Sequence, residues 1–136
     1  MLNYFFYYFL LDTLVDILHP SSKLCINNNP QVLFILVLHH FINCFLLVGW
    51  IFNSKSMLLL HFIIVIGTII YWGINDHLCD LTVYVNKLCG WDEKQSFNDL
   101  LNIIGIKKIK SWNKFWHYLV IAFAACISLY KIVYYK

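Results

Sequence analysis

Acids, imidazoles and thiols are sparse in this chain, and they recur at helical spacing. Asp12 and Asp16 stand four residues apart, as do His39 and Asn43, and His40 and Cys44; His61, Thr68 and Asn75 recur every seven residues. Each of these sets falls along one helix face. A further group lies in NDHLCDLTVYVNKLCGW, Asn75 to Trp91, which brings Asp76, His77, Cys79, Asp80, Thr82 and Cys89 into one short stretch. An acid beside an imidazole could carry a proton or ion. Two histidines at one depth could ligate haem, and a thiol beside a histidine could act as a nucleophile. Hydrogen bonds that merely hold helices together are the plainest use of the same groups.

The surroundings of these residues narrow the choice. Of 136 residues, 61% are hydrophobic and 12% charged, against about 25% charged in a soluble domain. A single domain of this length has too little interior to hide so much apolar surface, so lipid must cover part of it. The expected class is an all-α integral membrane protein, with the lipid bilayer as its first partner. Net charge is +3 and every basic residue is Lys. The lysines sit near apolar ends and not in one patch, which gives no reason to expect nucleic acid. The richness in Asn, Ile, Lys, Tyr and Phe points to an A/T-rich genome.

A membrane helix needs about 20 mostly apolar residues. Residues 31–52 and 57–75 meet that requirement and are joined by the polar turn FNSKS, which makes them an antiparallel hairpin; 112–135 supplies another span with aromatic ends. Segment 2–18 has bilayer length and no basic leader, so it reads as a fourth span closed by His19-Pro20, with an interfacial helix as the alternative. The expected fold is then a small bundle of four, or else three, spans within one domain, 1–136. Residues 19–30 read as a linker and 76–111 as a surface segment. In that segment Asp80 caps a helix ending at Gly90, and SFND with Gly105 brackets a second, giving two short amphipathic helices lying on the membrane. Lysines 23, 87, 94, 107, 108 and 110 outnumber Lys55, Lys131 and Lys136 on the other side, so the positive-inside rule places 76–111 on the cytosolic-equivalent side.

Depth then pairs the polar groups. His39 and His40 lie about 12–13 Å into their span and Asp12 about 10 Å from the same surface, so Asp12 should meet this histidine pair. Asp16 should lie near the level of His117. His61 enters from the opposite side and should miss His40 by about 10 Å, which argues against a b-type haem. The intramembrane polar cluster expected is Asp12, His39, His40, Asn43, His61, Thr68 and Asn75. Ala122/Cys126 and Ala124/Ser128 offer small residues for close helix contact.

Five cysteines leave at least one unpaired in a monomer. Cys79 and Cys89 flank a helix whose ends stand about 15 Å apart, too far for a disulfide. Either could reach Cys25, but a cytosolic-equivalent side is reducing and argues for no disulfide. Asp76, His77, Cys79 and Cys89 match no zinc spacing, and no nucleophile, metalloprotease or phosphate-loop motif is present. No catalytic, metal or cofactor-binding residues are assigned.

The order LHHF…LLVGW, LLLHF…YWGIN and CDLTVYVNKLCG resembles a family of small four-helix membrane proteins of unknown function that carry a C-x-L-T motif. It is also similar to short membrane proteins of large DNA viruses. The residues carrying the resemblance are His40, His61, Trp72, Cys79, Leu81 and Thr82; Asp80 stands where that family has Pro. Trp72, Cys79, Leu81 and Thr82 are expected to form a structural corner tying the surface helix to the end of its span. The functional expectation is a structural or assembly role in a larger membrane complex or particle, with protein partners contacted through 76–111. A proton or ion pathway is the first alternative and a redox or haem protein the second.

Overall fold

The computed structural model describes residues 2–75, 79–92 and 112–134, with side chains for 3–75, 79–92 and 118–134. The described residues form α1 (Leu2–Leu18), α2 (Pro20–Asn28), α3 (Gln31–Val48), a 3₁₀ turn (Gly49–Ile51), α4 (Lys55–Ile74), α5 (Asp80–Cys89) and α6 (Trp112–Tyr134). No strand occurs among them. Gln31–Ile51 and Lys55–Ile74 are long and apolar enough to cross a membrane, and Tyr118–Tyr134 is a shorter apolar helix.

α1 runs antiparallel to α3. Phe5 and Phe9, one turn apart, both set their rings edge-on to Phe41 at 5.8 Å. Further along α1, Asp12 meets His40. At the Phe5 end of this contact the Cys44 thiol donates to the Phe5 carbonyl, and Phe5, Cys44 and Phe45 form one buried cluster. Pro20 does end α1, but it also begins α2 as its first residue, where a missing N–H costs nothing and the fixed φ suits a helix. The 19–30 segment is therefore largely helical and not a linker. α2 folds back on α3 through Asn29-Pro30, so Cys25 packs on Val32 and Leu36.

α5 has the expected bounds and cap. Gly90 takes the left-handed conformation (φ 68°), the Trp91 N–H donates to the Asn86 carbonyl, and the Gly90 N–H to that of Lys87, closing the helix in the Schellman pattern. Its orientation differs from expectation. Cys79, at its start, meets His39; Val85 packs with Val32 and Leu36; and at its end Asn29 donates to the Leu88 carbonyl. α5 thus runs lengthwise along the first half of α3, held by its apolar face, and is not a helix lying flat beneath a bundle. The second expected surface helix, within 96–105, lies outside the described residues.

That orientation also overturns the expectation of no disulfide. With α2 and α5 flanking the same stretch of α3, Cys25 and Cys89 come together at a Cα–Cα distance of 5.4 Å and are bonded. Cys79 does not pair with Cys89. Cys44, Cys79 and Cys126 are free.

The far end of α3 shows how a helix terminus is satisfied without a left-handed glycine, since its cap, Gly49, stays right-handed. Its last carbonyls lack backbone partners because the chain tightens into the 3₁₀ turn. The Phe45 carbonyl keeps the Gly49 N–H. The His61 ring reaches that of Leu46 at 3.2 Å, and the Trp50 indole donates to that of Leu47 at 2.9 Å. Lys131 of α6 donates to the carbonyls of Trp50 and Phe52, each at 3.0 Å, and to Asn53 Oδ1. A cation at these carbonyls also complements the negative end of the helix dipole.

α4 packs chiefly on α6. Leu46, Val65, Ile121 and Ala125 are the buried centre of that contact. Ala124 and Ala125 are buried, as is Ser128, whereas Cys126 is exposed. The small residues do admit a close approach, on the Ala124/Ser128 face. Gly49 meets the same requirement on the other side, because a Cβ there would overlap the His61 ring. That ring is held at both nitrogens and cannot swing away. Gly49→Ala is expected to destabilise by about 1–3 kcal/mol through overpacking, read as a lower thermal midpoint of the purified protein. An unchanged midpoint would mean that the His61 ring yields.

Candidate functional site

The candidate site is a polar knot where α1, α2 and α3 meet. α1 is apolar and aromatic except for Asn3, Asp12, Thr13 and Asp16, and the acids are one turn apart, so both face α3. His40 stands opposite them. Its Nδ1 lies 2.8 Å from Asp12 Oδ2 and its Nε2 3.1 Å from Asp16 Oδ2. The Ser22 hydroxyl of α2 donates to Asp16 Oδ1 at 2.8 Å. His40, Asp16 and Ser22 are 0% exposed and Asp12 is 4% exposed. Thr13, beside them, donates to its own helix at the Phe9 carbonyl.

Proton count decides the charge of this knot. A neutral imidazole has one N–H and one lone pair, so it cannot donate to two carboxylates at once. With two mobile protons, either an imidazolium bridges two carboxylates or a neutral ring lies between one carboxylate and one carboxylic acid. Both arrangements carry a net charge of −1. A third proton makes the knot neutral. The carboxylates converge on the imidazole between them, which leaves no common point for an ion.

The other expected site residues fall into two separate places. His61 Nδ1 is 2.7 Å from the Ser128 hydroxyl, and its Nε2 faces the Leu46 carbonyl. A carbonyl only accepts, so Nε2 carries the ring proton and Nδ1 accepts from Ser128. Leu46 is six residues beyond His40, about 9 Å along α3, and Cys44 and Phe45 are buried between the two levels. His40 and His61 therefore do not share a depth, and each has both ring nitrogens engaged within the chain. Thr68 donates to the Ile64 carbonyl of its own helix, and Asn75 ends α4. The expected seven-residue cluster is thus not one constellation: the stripe His61, Thr68, Asn75 shares a face but no bonds.

The third place is on α3 beside α5. His39 Nε2 is 2.7 Å from the Asn43 amide nitrogen, and His39 Nδ1 is 3.7 Å from Cys79 Sγ. Cys79 is partnered by His39; Asp76 and His77 lie outside the described residues.

Asp16 pairs with His40 and Ser22, because the α1–α2 break turns Ser22 back toward it; the side chain of His117 is outside the described residues. The residues of the expected corner, Trp72, Cys79, Leu81 and Thr82, lie at the end of α4 and the start of α5. Trp72 sets its ring against Tyr118 of α6 at 6.1 Å, while Cys79 turns to His39 on α3. Leu81 and Thr82 lie half-buried on α5. Val85, Asn29 and the Cys25–Cys89 bond are among the ties of α5.

Three participants escape a reading of local pattern. Ser22 sits in a stretch that looks like a linker. Trp50 and Lys131 look like interfacial anchors, yet both serve as caps. Their common signal is a donor placed near a helix end whose carbonyls need partners. Comparison with family models, with curated proteins and with solved structures returns no match, so neither a family nor an activity comes to this chain from a relative.

Proposed function

We propose that this chain is a small multi-pass membrane protein with a structural role, a component that assembles with protein partners in a membrane-bound complex or particle. The observation that carries this reading is the use made of its buried polar groups. Asp12, Asp16, Ser22 and His40 join α1 and α2 to α3, His61 and Ser128 join α4 to α6, and Lys131 joins α6 to the turn after α3. Polar groups buried between helices hold such a bundle together where lipid supplies no hydrophobic force between them. Large apolar side chains meanwhile remain exposed along the outer helix faces, among them Phe34, Ile63, Ile70, Phe123 and Tyr130. Lipid covers that surface in part, and protein neighbours cover the rest.

The disulfide supports one side of the membrane over the other. The lysine excess argues for a cytosolic-equivalent location of the α2–α5 end, whereas disulfides persist in oxidising compartments. A covalent bond between Cys25 and Cys89 is more specific than a bias in lysine numbers, and it supports an oxidising compartment for this end.

Mild solubilisation of the native membrane, followed by affinity purification of the full chain, tests the assembly reading. The expected result is recovery in a defined complex with other membrane proteins. Recovery as a lone monomer, together with unimpaired assembly after deletion of its gene, would overturn it.

A second reading is favoured by one specific feature. Two carboxylates on one imidazole change net charge from −1 to 0 with a single proton, at a position that admits no water-exposed alternative. In a transporter-like bundle this is a proton-holding site. Proton flux into liposomes carrying the purified chain is then expected to disappear in His40→Ala and in Asp12→Asn. Flux that survives both substitutions rules that path out.

A further inference from the structure

α1 is a peripheral helix held at two levels. It packs chiefly on α3, and Tyr4, Tyr7, Leu11, Leu14 and Leu18 on its other faces are exposed. One level is the ring contact of Phe5 and Phe9 with Phe41, which carries no charge. The other is the knot of Asp12, Asp16, Ser22 and His40. Beyond the knot the chain is fixed again, because Cys25 of α2 is bonded to Cys89 of α5. The knot therefore sits within a segment pinned at both ends.

The number of protons in the knot decides whether it can stay closed. With two, a proton lies between the ring and each acid. With one, the neutral ring donates to a single acid and turns a lone pair onto the other, at 2.8 Å for Asp12 or 3.1 Å for Asp16. Two carboxylates and a neutral ring then leave a net charge of −2 in a buried place. Burial penalises such charge steeply, and movement of α1 away from α3 relieves it by admitting water. The neighbouring groups on each element are otherwise engaged. Thr13 of α1 donates to its own helix, and Ser22 of α2 is neutral and held by Asp16. On α3 the His39 ring lies 5.8 Å from that of His40 but turns to Asn43 and Cys79, and Cys44, one turn along, donates to the Phe5 carbonyl.

We propose that the knot is a proton-controlled clasp: a proton on each side of the imidazole holds residues 12–22 on α3, and loss of one releases them. This rests on the reading of the knot as a proton-holding site and adds what its proton controls. The departing proton passes to water admitted by the opening, and reclosure takes it back. The open form binds one proton fewer, so rising pH favours opening and falling pH favours closure. Pinned by Phe5 on Phe41 and by Cys25 on Cys89, the segment bows outward and does not leave.

Backbone hydrogen exchange of the full chain in lipid nanodiscs tests this, because exchange reports local opening. The series runs from about pH 6.5 to about pH 10, the interval between free imidazole and lysine, with rates corrected for the intrinsic pH dependence of exchange. Protection within 12–22 is expected to fall by about tenfold per pH unit once the second proton is lost, the slope for a single proton. Protection in α4 and α6 should stay level. In Asp12→Asn the amide donates to Nδ1 and Nε2–H donates to Asp16, so a neutral ring satisfies both sides and the slope should vanish. Asp16→Asn exchanges the two roles with the same expectation, and serves if the first variant does not fold. Cys44 stays in place in both, so a slope that either variant retains belongs to another group and overturns the proposal. Level protection within 12–22 in the parent also overturns it, as does a fall shared equally by α4 and α6. Liposome flux separates the clasp from the proton pathway. A pH-dependent clasp without flux supports the proposal and removes only the pathway; flux with level protection overturns the clasp alone.

Discussion

His40→Leu is expected to destabilise the protein by about 3–5 kcal/mol, the cost of removing one partner from a buried charged group. Leu occupies nearly the space of His, so the loss does not come from a cavity. It comes from Asp12 and Asp16, which are left 4% and 0% exposed with their shared partner gone. Asp16 keeps the Ser22 hydroxyl, but a single neutral donor does not replace the imidazole. Each acid must then take a proton or open toward water, and opening would peel α1 away from α3. Thermal unfolding of the purified protein in detergent or nanodiscs measures the loss. The same measurement on Asp12→Asn/Asp16→Asn/His40→Leu supplies the check. Because the three residues act as a unit, the triple variant should be more stable than the sum of its parts implies. A His40→Leu loss below about 1 kcal/mol, the level of an ordinary exposed pair, would show that the knot is not the link between these helices.

Cys89→Ser should produce the second large effect, for a different reason. The disulfide spans 64 residues of sequence, and cross-linking a loop of that length restricts the unfolded chain by about 4 kcal/mol. Its removal also loosens α5, whose remaining ties include the Val85 contact with Val32 and Leu36, the hydrogen bond from Asn29 to the Leu88 carbonyl and the contact of Cys79 with His39. Cys25→Ser should match Cys89→Ser within a few tenths of a kcal/mol, and the double variant should be no worse than either. In the parent, a reductant should lower the thermal midpoint; in the variants it should not. Maleimide labelling in intact membranes tests the compartment as well. If the α2–α5 end faces an oxidising space, Cys25 and Cys89 should label only after treatment with a reductant, and an impermeant reductant applied from that side should suffice. Immediate labelling of both cysteines from the cytosolic side would return that end to the compartment the lysines favour, and would remove the bond from the account.

The two effects show where inference from residue spacing works. Asp12 and His40 could be matched in advance because depth along an apolar helix follows from counting residues at a fixed rise. The Asp16–Ser22 bond could not, because it depends on α2 being a helix that turns back at Asn29-Pro30. His61 was placed at the wrong distance for His40 by the same counting, and it does lie about 9 Å away along α3. Its actual partner, Ser128, is 67 residues away in sequence and depends on how α6 rotates against α4.

By itself the sequence determined the helices and most of their ends. Apolar runs, His19-Pro20 at the end of α1, Gly90 at a helix end and the polar break at 52–54 act within a few residues, through backbone hydrogen bonds and local sterics. Those signals also led to two errors, a linker at 19–30 and a flat surface helix at 80–89, because amphipathicity specifies that a face is buried and not against what. Tertiary structure alone decided that α5 stands along α3, that Cys25 meets Cys89, that Cys79 meets His39, and that Lys131 closes the turn after α3. Each of these joins residues far apart in the chain, so each depends on the rotation of whole helices about their axes and on the direction in which short connections turn. Neither is encoded in any window as short as one helix.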